Sequence, residues 1–294
     1  MYYVVYGVLY GLSLIPMWLL YPLADGLAFL LYHVIRYRRD IVMANLLIAF
    51  PERTEAERIR IAKDFYRNFV DNFIETLKLV SASRSYITKH FVIDNPELLE
   101  EHYRSGRKCQ LHLGHIFNWE IANVAMPFFT PYTFIVVYMP VENKIFNRIS
   151  MNLRRRTGTI LLPATNMSKA IIPYRNSQYM LTLVADQAPG NFDKGYWLNF
   201  FGRPTPFVRG PERGARIADI PVVFVRLYKT RRGYYRAQLS RGADNPAQLP
   251  EGELTLRYAR FLEDAIRQEP GSWLWSHKRW KNEWKEEYRR LWLE

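Results

Sequence analysis

The sequence predicts an α/β protein, a mainly parallel sheet flanked by helices, with an N-terminal transmembrane or membrane-anchoring helical segment. Three observations carry this. From about residue 108 onward, apolar strand-like runs alternate with helix-like runs, the rhythm of βαβ units. From Tyr2 to Ala24 no residue is charged, and Asp25 is the first that is. The 294 residues carry 41 Lys and Arg against 28 Asp and Glu, a net charge of +13.

These numbers bound the function classes. Hydrophobic residues make up 49% and aromatic residues 15% of the chain, which excludes disorder as the main state. The positive charge calls for an acidic partner: an anionic membrane, an acidic protein or a nucleic acid. Mixed Trp and basic residues near the C-terminus suit stacking on bases, but no nucleic-acid-binding motif accompanies them. The single cysteine, Cys109, excludes an internal disulfide and a Cys-rich metal site. It lies in an apolar strand-like run, which points to packing rather than reactivity. The His residues show no zinc-ligand spacing, and no Gly-rich phosphate loop is present, so neither metal nor cofactor is expected.

At the N-terminus, residues 2–24 as one helix would span roughly 34 Å, enough for a bilayer core. Pro16 and Pro22 argue for a kinked span, or for a span followed by an interfacial helix over about 23–35. Arg36-Tyr-Arg-Arg39 follows, which places the main domain on the cytoplasmic side. The expected division is a membrane anchor over 1–40 and an α/β domain over 41–294 with helical extensions at both ends. Thr54 and Glu57 form a capping-box pattern. Behind it, Ile61, Phe65, Phe69, Phe73 and Leu77 recur every four residues and mark one apolar helix face, with Asn68, Asp71, Asn72 and Glu75 among its polar neighbours.

The strand-like runs are Cys109–Leu113, Thr133–Met139, Thr159–Leu162, Met180–Ala185, Pro221–Tyr228 and Tyr234–Leu239. Helix-like runs at Asn118–Met126, Glu142–Arg155, Ser168–Tyr174 and Pro211–Ile220 fall between them, and an amphipathic run closes the series at Leu254–Gln268. In such sheets ligands bind beyond the carboxyl ends of the strands.

The chemistry concentrates at His115-Ile-Phe-Asn-Trp-Glu120, just past the first of these strands. Five positions on a regular helix set side chains about 140° apart. With His115 on the turn and Glu120 in the first helical turn, the carboxylate reaches back to one ring nitrogen. That contact would fix the tautomer and leave the other nitrogen to take a proton from a hydroxyl. The alternative is a His that caps a strand beside a surface Glu. Three further segments stand out. Arg154-Arg-Arg156 ends a helix and suits phosphate or carboxylate recognition, or simply the helix C-terminus. Asp186-Gln187 sits at a strand's carboxyl end, and the aromatic, Pro-rich loop 200–207 after it suits the wall of an acyl groove. Trp273-Leu-Trp275-Ser-His277-Lys-Arg279-Trp280 suits a headgroup-level membrane contact or a docking face for an acidic carrier, with His277 a buried hydrogen-bonding residue.

Taken in order, Leu113-Gly-His115-Ile-Phe-Asn-Trp-Glu120, Asp186-Gln187, Phe200-Phe-Gly202 with Thr205, and Glu269-Pro-Gly-Ser-Trp273-Leu-Trp275-Ser-His277-Lys-Arg279-Trp-Lys281 resemble the lipid A biosynthesis acyltransferases, the lauroyl and myristoyl acyltransferase family. The helix Arg67–Glu75 and the apolar N-terminus are similar too. The Pro-Gly-Ser-Trp stretch departs from a tyrosine-containing one in many members. The resemblance implies a glycerolipid-acyltransferase-like fold and a bacterial inner-membrane enzyme with its catalytic domain on the cytoplasmic side. It implies transfer of a fatty acyl chain, usually from acyl carrier protein, to a hydroxyl of a glycolipid such as a lipid A precursor. His115 and Glu120 match the family's His-x4-Asp/Glu dyad, with His115 as base and Glu120 as its orienting partner. Arg154, Arg156, Asp186, Gln187 and Arg203 are the candidate substrate-binding residues. Backbone N–H groups of the following helix, or an Arg of the cluster, would stabilise the oxyanion. Two alternatives stay open: a coenzyme A-dependent glycerolipid acyltransferase and a non-catalytic membrane-surface protein.

Overall fold

The computed structural model describes residues 1–191 and 195–293. The apolar N-terminus forms two helices rather than one: α1 (Tyr2–Leu14) and α2 (Met17–Phe29), parted at Ile15-Pro16. Pro16 takes extended backbone and sits just before α2, where its missing N–H costs nothing. The carbonyls exposed at the break are taken up by the protein. Lys78 Nζ donates to Ser13 O at 2.8 Å, and Ser81 Oγ to the same oxygen at 3.1 Å. Helix α2 runs through Pro22 into a π-helical turn at Leu30–Val34. Met17–Val34 is thus 18 residues with mean hydropathy 1.3, long and apolar enough to cross a membrane. Leu20, Ala24, Ala28 and Tyr32, four residues apart, face inward, while Trp18, Leu19, Leu23 and Phe29 are exposed.

Helix α3 (Arg39–Ala49) leads to α4 (Glu55–Lys78), whose capping box forms as expected from Thr54 and Glu57. Its apolar face is buried only at Ile61 and Phe65; Phe69 and Leu77 are half-buried and Phe73 is exposed. The polar residues do the reverse. Asp71, Asn72 and Glu75 are all buried, because α2 and a sheet hairpin pack on that side, and these bring partners for the two acids. At the hairpin tip Arg232 holds Asp71 with Nη2–Oδ1 at 2.6 Å and Nε–Oδ2 at 2.9 Å, and Asp25 of α2 with Nη1–Oδ2 at 3.0 Å. Gly233, at φ +77, completes the two-residue turn, and a Cβ there would collide with the Tyr21 hydroxyl of α2.

The remaining elements are α5 (Arg84–His90), β1 (Phe91–Ile93), α6 (Glu97–Arg104), β2 (Cys109–Leu113), α7 (Trp119–Ala125), β3 (Thr133–Tyr138), α8 (Lys144–Arg155), β4 (Ile160–Pro163), α9 (Met167–Ala170), β5 (Tyr179–Val184), β6 (Gly195–Phe200), β7 (Arg203–Val208), α10 (Gly210–Ile217), β8 (Val222–Arg231), β9 (Tyr234–Ala243) and α11 (Glu253–Gln268). Seven strands form one sheet in the order β1-β9-β8-β2-β5-β3-β4. All pairings are parallel except the β8–β9 hairpin, as the sequence rhythm predicts. The segment 200–207 is not a loop. It ends one strand and supplies nearly all of the other in a second, two-stranded antiparallel sheet, β6 with β7, turning at Phe201-Gly202. Phe200 and Phe207 point into the core.

Strand order decides which face each helix covers. Crossovers between parallel strands are right-handed. The connections β2–α7–β3 and β3–α8–β4 step one way along the sheet; β4–α9–β5 and β5–α10–β8 step back. So α7 and α8 cover one face, with α4 and the N-terminal helices beyond them. Helices α9 and α10 lie on the other. Leu111 and Leu113 face α7; Gln110 faces α10, and His112 lies against Tyr258, which α11 supplies. Strand β2 is buried on both faces, and burial pushes the Cys109 thiol up to about 12, consistent with a packing role.

Arg232→Ala should destabilise the protein by about 3–5 kcal/mol, because it leaves the buried Asp71 carboxylate, 1% exposed, without its partner. Chemical unfolding in detergent micelles measures this. Asp71→Asn should cost less, since the amide keeps hydrogen bonds without a stranded charge.

Candidate active site

Two adjacent strands build the site. Leu113 of β2 pairs with Val184 of β5 in parallel register, so His115 and Asp186 each stand two residues beyond a matched pair. His115 Nδ1 lies 2.5 Å from Asp186 Oδ1. The His115 backbone N–H donates to Asp186 Oδ2 at 2.8 Å, and Trp273 Nε1 donates to the same oxygen at 2.7 Å. Gly114 makes room: a Cβ there would lie 2.5 Å from Leu262 Cδ1 and 3.3 Å from Asp186 Oδ2. Burial alone would raise the Asp186 carboxyl. The neighbouring His115 and the donors from His115 and Trp273 outweigh it and hold the carboxyl at about 2. An ionised carboxylate only accepts, so Nδ1 carries the hydrogen, and in the neutral imidazole the lone pair is then on Nε2. Nε2 faces the cavity, and Gln187 Nε2 stands 3.5 Å from it, longer than a normal hydrogen bond.

The expected contact between Glu120 and His115 is therefore not formed; Asp186 holds that place. Glu120 lies in the first turn of α7 and takes two bonds from Arg154 of α8, one of them Nε to Oε2 at 2.9 Å. Trp119 Nε1 adds a third at 3.2 Å. Burial would lower the Arg154 guanidinium, but hydrogen bonding and charge pairing with Glu120 raise it. Two of the first N–H groups of α7, those of Glu120 and Ile121, are not free for an oxyanion. Asn118 Oδ1 accepts from Glu120 N at 3.0 Å and from Ile121 N at 3.2 Å. Asn118 in turn donates to the buried Glu75, at 3.1 Å.

Of the other sequence-selected residues, Gln187 and Arg154 line the cavity with His115 and Glu120. Arg156 does not. Its guanidinium caps the carbonyls of Leu79 and Ala82 beyond the end of α4. Arg203 is exposed at the start of β7, away from the cavity lining. The C-terminal Trp segment is not a membrane surface. Trp273, Trp275 and Trp280 are buried. Phe117 N donates to Ser272 O at 3.1 Å and Leu274 N to His115 O at 3.2 Å, so the segment clamps the loop that carries the histidine. Asn45 of α3 fixes it from behind, donating to Trp275 O and His277 O at 2.8 Å each. His277 is half-buried; burial and Arg279 lower it to about 4, so it is neutral and accepts from Ala188 N at 3.4 Å.

The cavity has a volume of about 1350 Å³ and a mostly apolar lining, larger than the roughly 300–1,000 Å³ of ordinary small-molecule sites. Among the described residues no group of three or more His, Cys, Asp or Glu is placed to hold a metal ion.

A family model described as bacterial lipid A biosynthesis acyltransferase matches residues 1–282. The chain belongs to that family, which supports an acyltransferase acting in lipid A biosynthesis. Comparison with curated proteins gives no match.

The unfolded carboxyl of Asp titrates near about 3.9, and Asp186 in the fold at about 2. Its contribution to stability is therefore complete above about pH 4 and is lost as the pH falls toward 2. Asp186→Asn should be less stable than the wild type at pH 7, and its stability should vary less between about pH 4 and 2. Acid unfolding followed by Trp fluorescence reads both; a variant curve parallel to the wild type would contradict the assignment.

Proposed function

We propose that this protein transfers a fatty acyl chain from an acyl thioester, carried by acyl carrier protein, to a hydroxyl of a lipid A precursor. The observation that carries the reading is the His115–Asp186 pair at the mouth of a large apolar cavity. His115 Nε2 takes the proton of the acceptor hydroxyl while that oxygen attacks the thioester carbonyl. The tetrahedral oxyanion collapses, the C–S bond breaks, and the imidazolium returns its proton to the leaving thiolate. The products are an ester and a free thiol, and no covalent enzyme intermediate is needed.

Asp186 keeps the imidazole in the productive tautomer and stabilises its charged form. Glu120 acts one step away. It fixes Arg154, whose guanidinium lies on the cavity wall and offers positive charge to the oxyanion or to an anionic group of the acceptor. The apolar lining receives the acyl chain. Residues 1–40 anchor the protein in the inner membrane through Met17–Val34, and the Arg36–Arg39 cluster sets the catalytic domain on the cytoplasmic side.

The test is mass spectrometry of lipid products from purified protein given an acyl thioester and a lipid A precursor in detergent. His115→Ala should lose roughly 10²–10⁴-fold in kcat with the fold intact. Asp186→Asn should fall within about the same range. Near-normal turnover by folded His115→Ala would overturn the proposal. Glu120→Gln should impair turnover less than His115→Ala, since the amide still accepts one of the Arg154 bonds. Equal or faster turnover with the coenzyme A thioester and a lysophospholipid would point instead to glycerolipid acylation.

A further inference from the structure

The cavity is not one chamber on one side of the sheet. On the face nearer the N-terminal helices it is enclosed beneath α7 and α8, lined by residues such as Leu111, Leu113, Phe134 and Val136. Around the carboxyl ends of the strands it continues onto the opposite face. There it runs between α9 and α10, floored by Tyr179, Leu181 and Leu183, with Gln187 to Gly190 at its top. Arg213 of α10 lines the same continuous space as His115. Ile217 stands at its rim, 75% exposed.

The two faces meet different surroundings. The exposed apolar residues of α1 and α2, together with Val141 and Phe146 at the start of α8, all lie on the first side. Helix α1 rests against α8 there, with Arg148 over the Tyr2 ring. A lipid acceptor would reach His115 from that side. The far face is basic instead. Arg209, Arg213 and Arg216 follow one another along α10 and border a second concavity. Arg209 pairs with Glu251; among the described residues Arg213 and Arg216 form no ion pair with a carboxylate. Arg290 extends the patch beside Tyr196 and Arg209, and exposed Lys169 stands on α9 across the groove.

We infer that the far-face groove is the entry port for the thioester arm of the acyl donor, and that Arg213 and its neighbours on α10 dock an acidic carrier protein bearing that arm. The inference rests on the acyl-transfer reading. It gives the two substrates opposite routes to one histidine, the lipid from the membrane side and the carrier from water. A body of negative charge seated on α10 places its flexible arm at the groove's open end, with the apolar floor leading to Gln187 and His115. Basic residues at such a rim act mainly on encounter and on salt dependence.

The test compares two donors with the same acyl chain: acyl carrier protein, and the N-acetylcysteamine thioester, which has no protein body. The variant is Arg213→Glu combined with Arg216→Glu. At low salt its kcat/KM for the carrier-bound donor should fall about tenfold or more relative to the small thioester, and the gap should narrow near 0.5 M salt, where exposed charges are screened beyond roughly 4–5 Å. The small thioester also reports that the variant is folded. Equal loss with both donors, or no loss with either, overturns the docking surface. A raised KM for the lipid acceptor instead assigns α10 to lipid phosphate and overturns it too. If the wild type uses neither donor, the acyl-transfer reading itself fails, and this inference with it.

Discussion

One buried carboxylate organises the site. Asp186 gathers the His115 ring, the His115 backbone N–H and the Trp273 indole on its two oxygens. The donors come from two distant parts of the chain: the first residues after β2, and a segment more than eighty positions past β5. A buried anion with fewer donors would shed its charge by taking up a proton. Held this way, it stays ionised, and an ionised Asp186 requires the hydrogen on Nδ1. The tautomer of the neutral imidazole is thus tied to the packing of a tryptophan.

The order of strands then gives this imidazole two approaches. His115 sits at the carboxyl edge where α7 and α8 cover one face and α9 and α10 the other, a consequence of right-handed crossovers stepping first one way and then back. Space reaching the edge from both faces converges on one imidazole. The proposed transfer between a lipid and a water-soluble donor asks for that arrangement, since neither substrate need leave its own medium to react.

Much of this was legible in the sequence. Alternation placed six of the seven main-sheet strands and put His115 just past the carboxyl end of one of them, since polar residues at strand ends are readable wherever strands are buried runs. The partner of His115 was not. Asp186 was visible as a residue at the same edge, but pairing it with His115 requires knowing that β2 and β5 are neighbours, and strand order is a long-range property that no local spacing encodes. Nearness in sequence favoured Glu120, five positions away; the sheet brought a residue 71 positions away closer. The Trp-rich C-terminus misled for a related reason. Trp beside Lys and Arg reads as a membrane surface, yet Arg279 is wholly buried, its Nη2 donating to Pro206 O at 2.9 Å and its guanidinium over the Phe207 ring. Cation and aromatic were partners for each other and for the protein interior. Segment 200–207 hid its strands because Pro204 and Pro206 demote a strand in sequence, though a two-stranded sheet has only edges, where proline is tolerated.

The polar residues on α4 show why the N-terminal helices belong to the enzyme's architecture and are more than a tether. Glu75 accepts from Tyr21 of α2 at 3.2 Å, from Tyr235 of β9 at 2.6 Å and from Asn118 of the loop that carries His115 at 3.1 Å. Burial raises the Glu75 carboxyl, and those three donors work against that rise. Asn118 is the residue that caps α7, which carries Glu120 and so holds Arg154. Only one covalent feature separates the cap from His115, a stretch of two residues. The apolar helix, the sheet and the loop that carries His115 thus share a single carboxylate, and the helix α2 that presents lipid-compatible surface outward presents Tyr21 inward. Asp71, one turn earlier on α4, repeats the pattern with Arg232 and Asp25. A helix bearing buried acids every turn is unfavourable alone and stable only between the two layers that supply the donors, which makes placement of α2 and placement of the reactive loop parts of one packing solution.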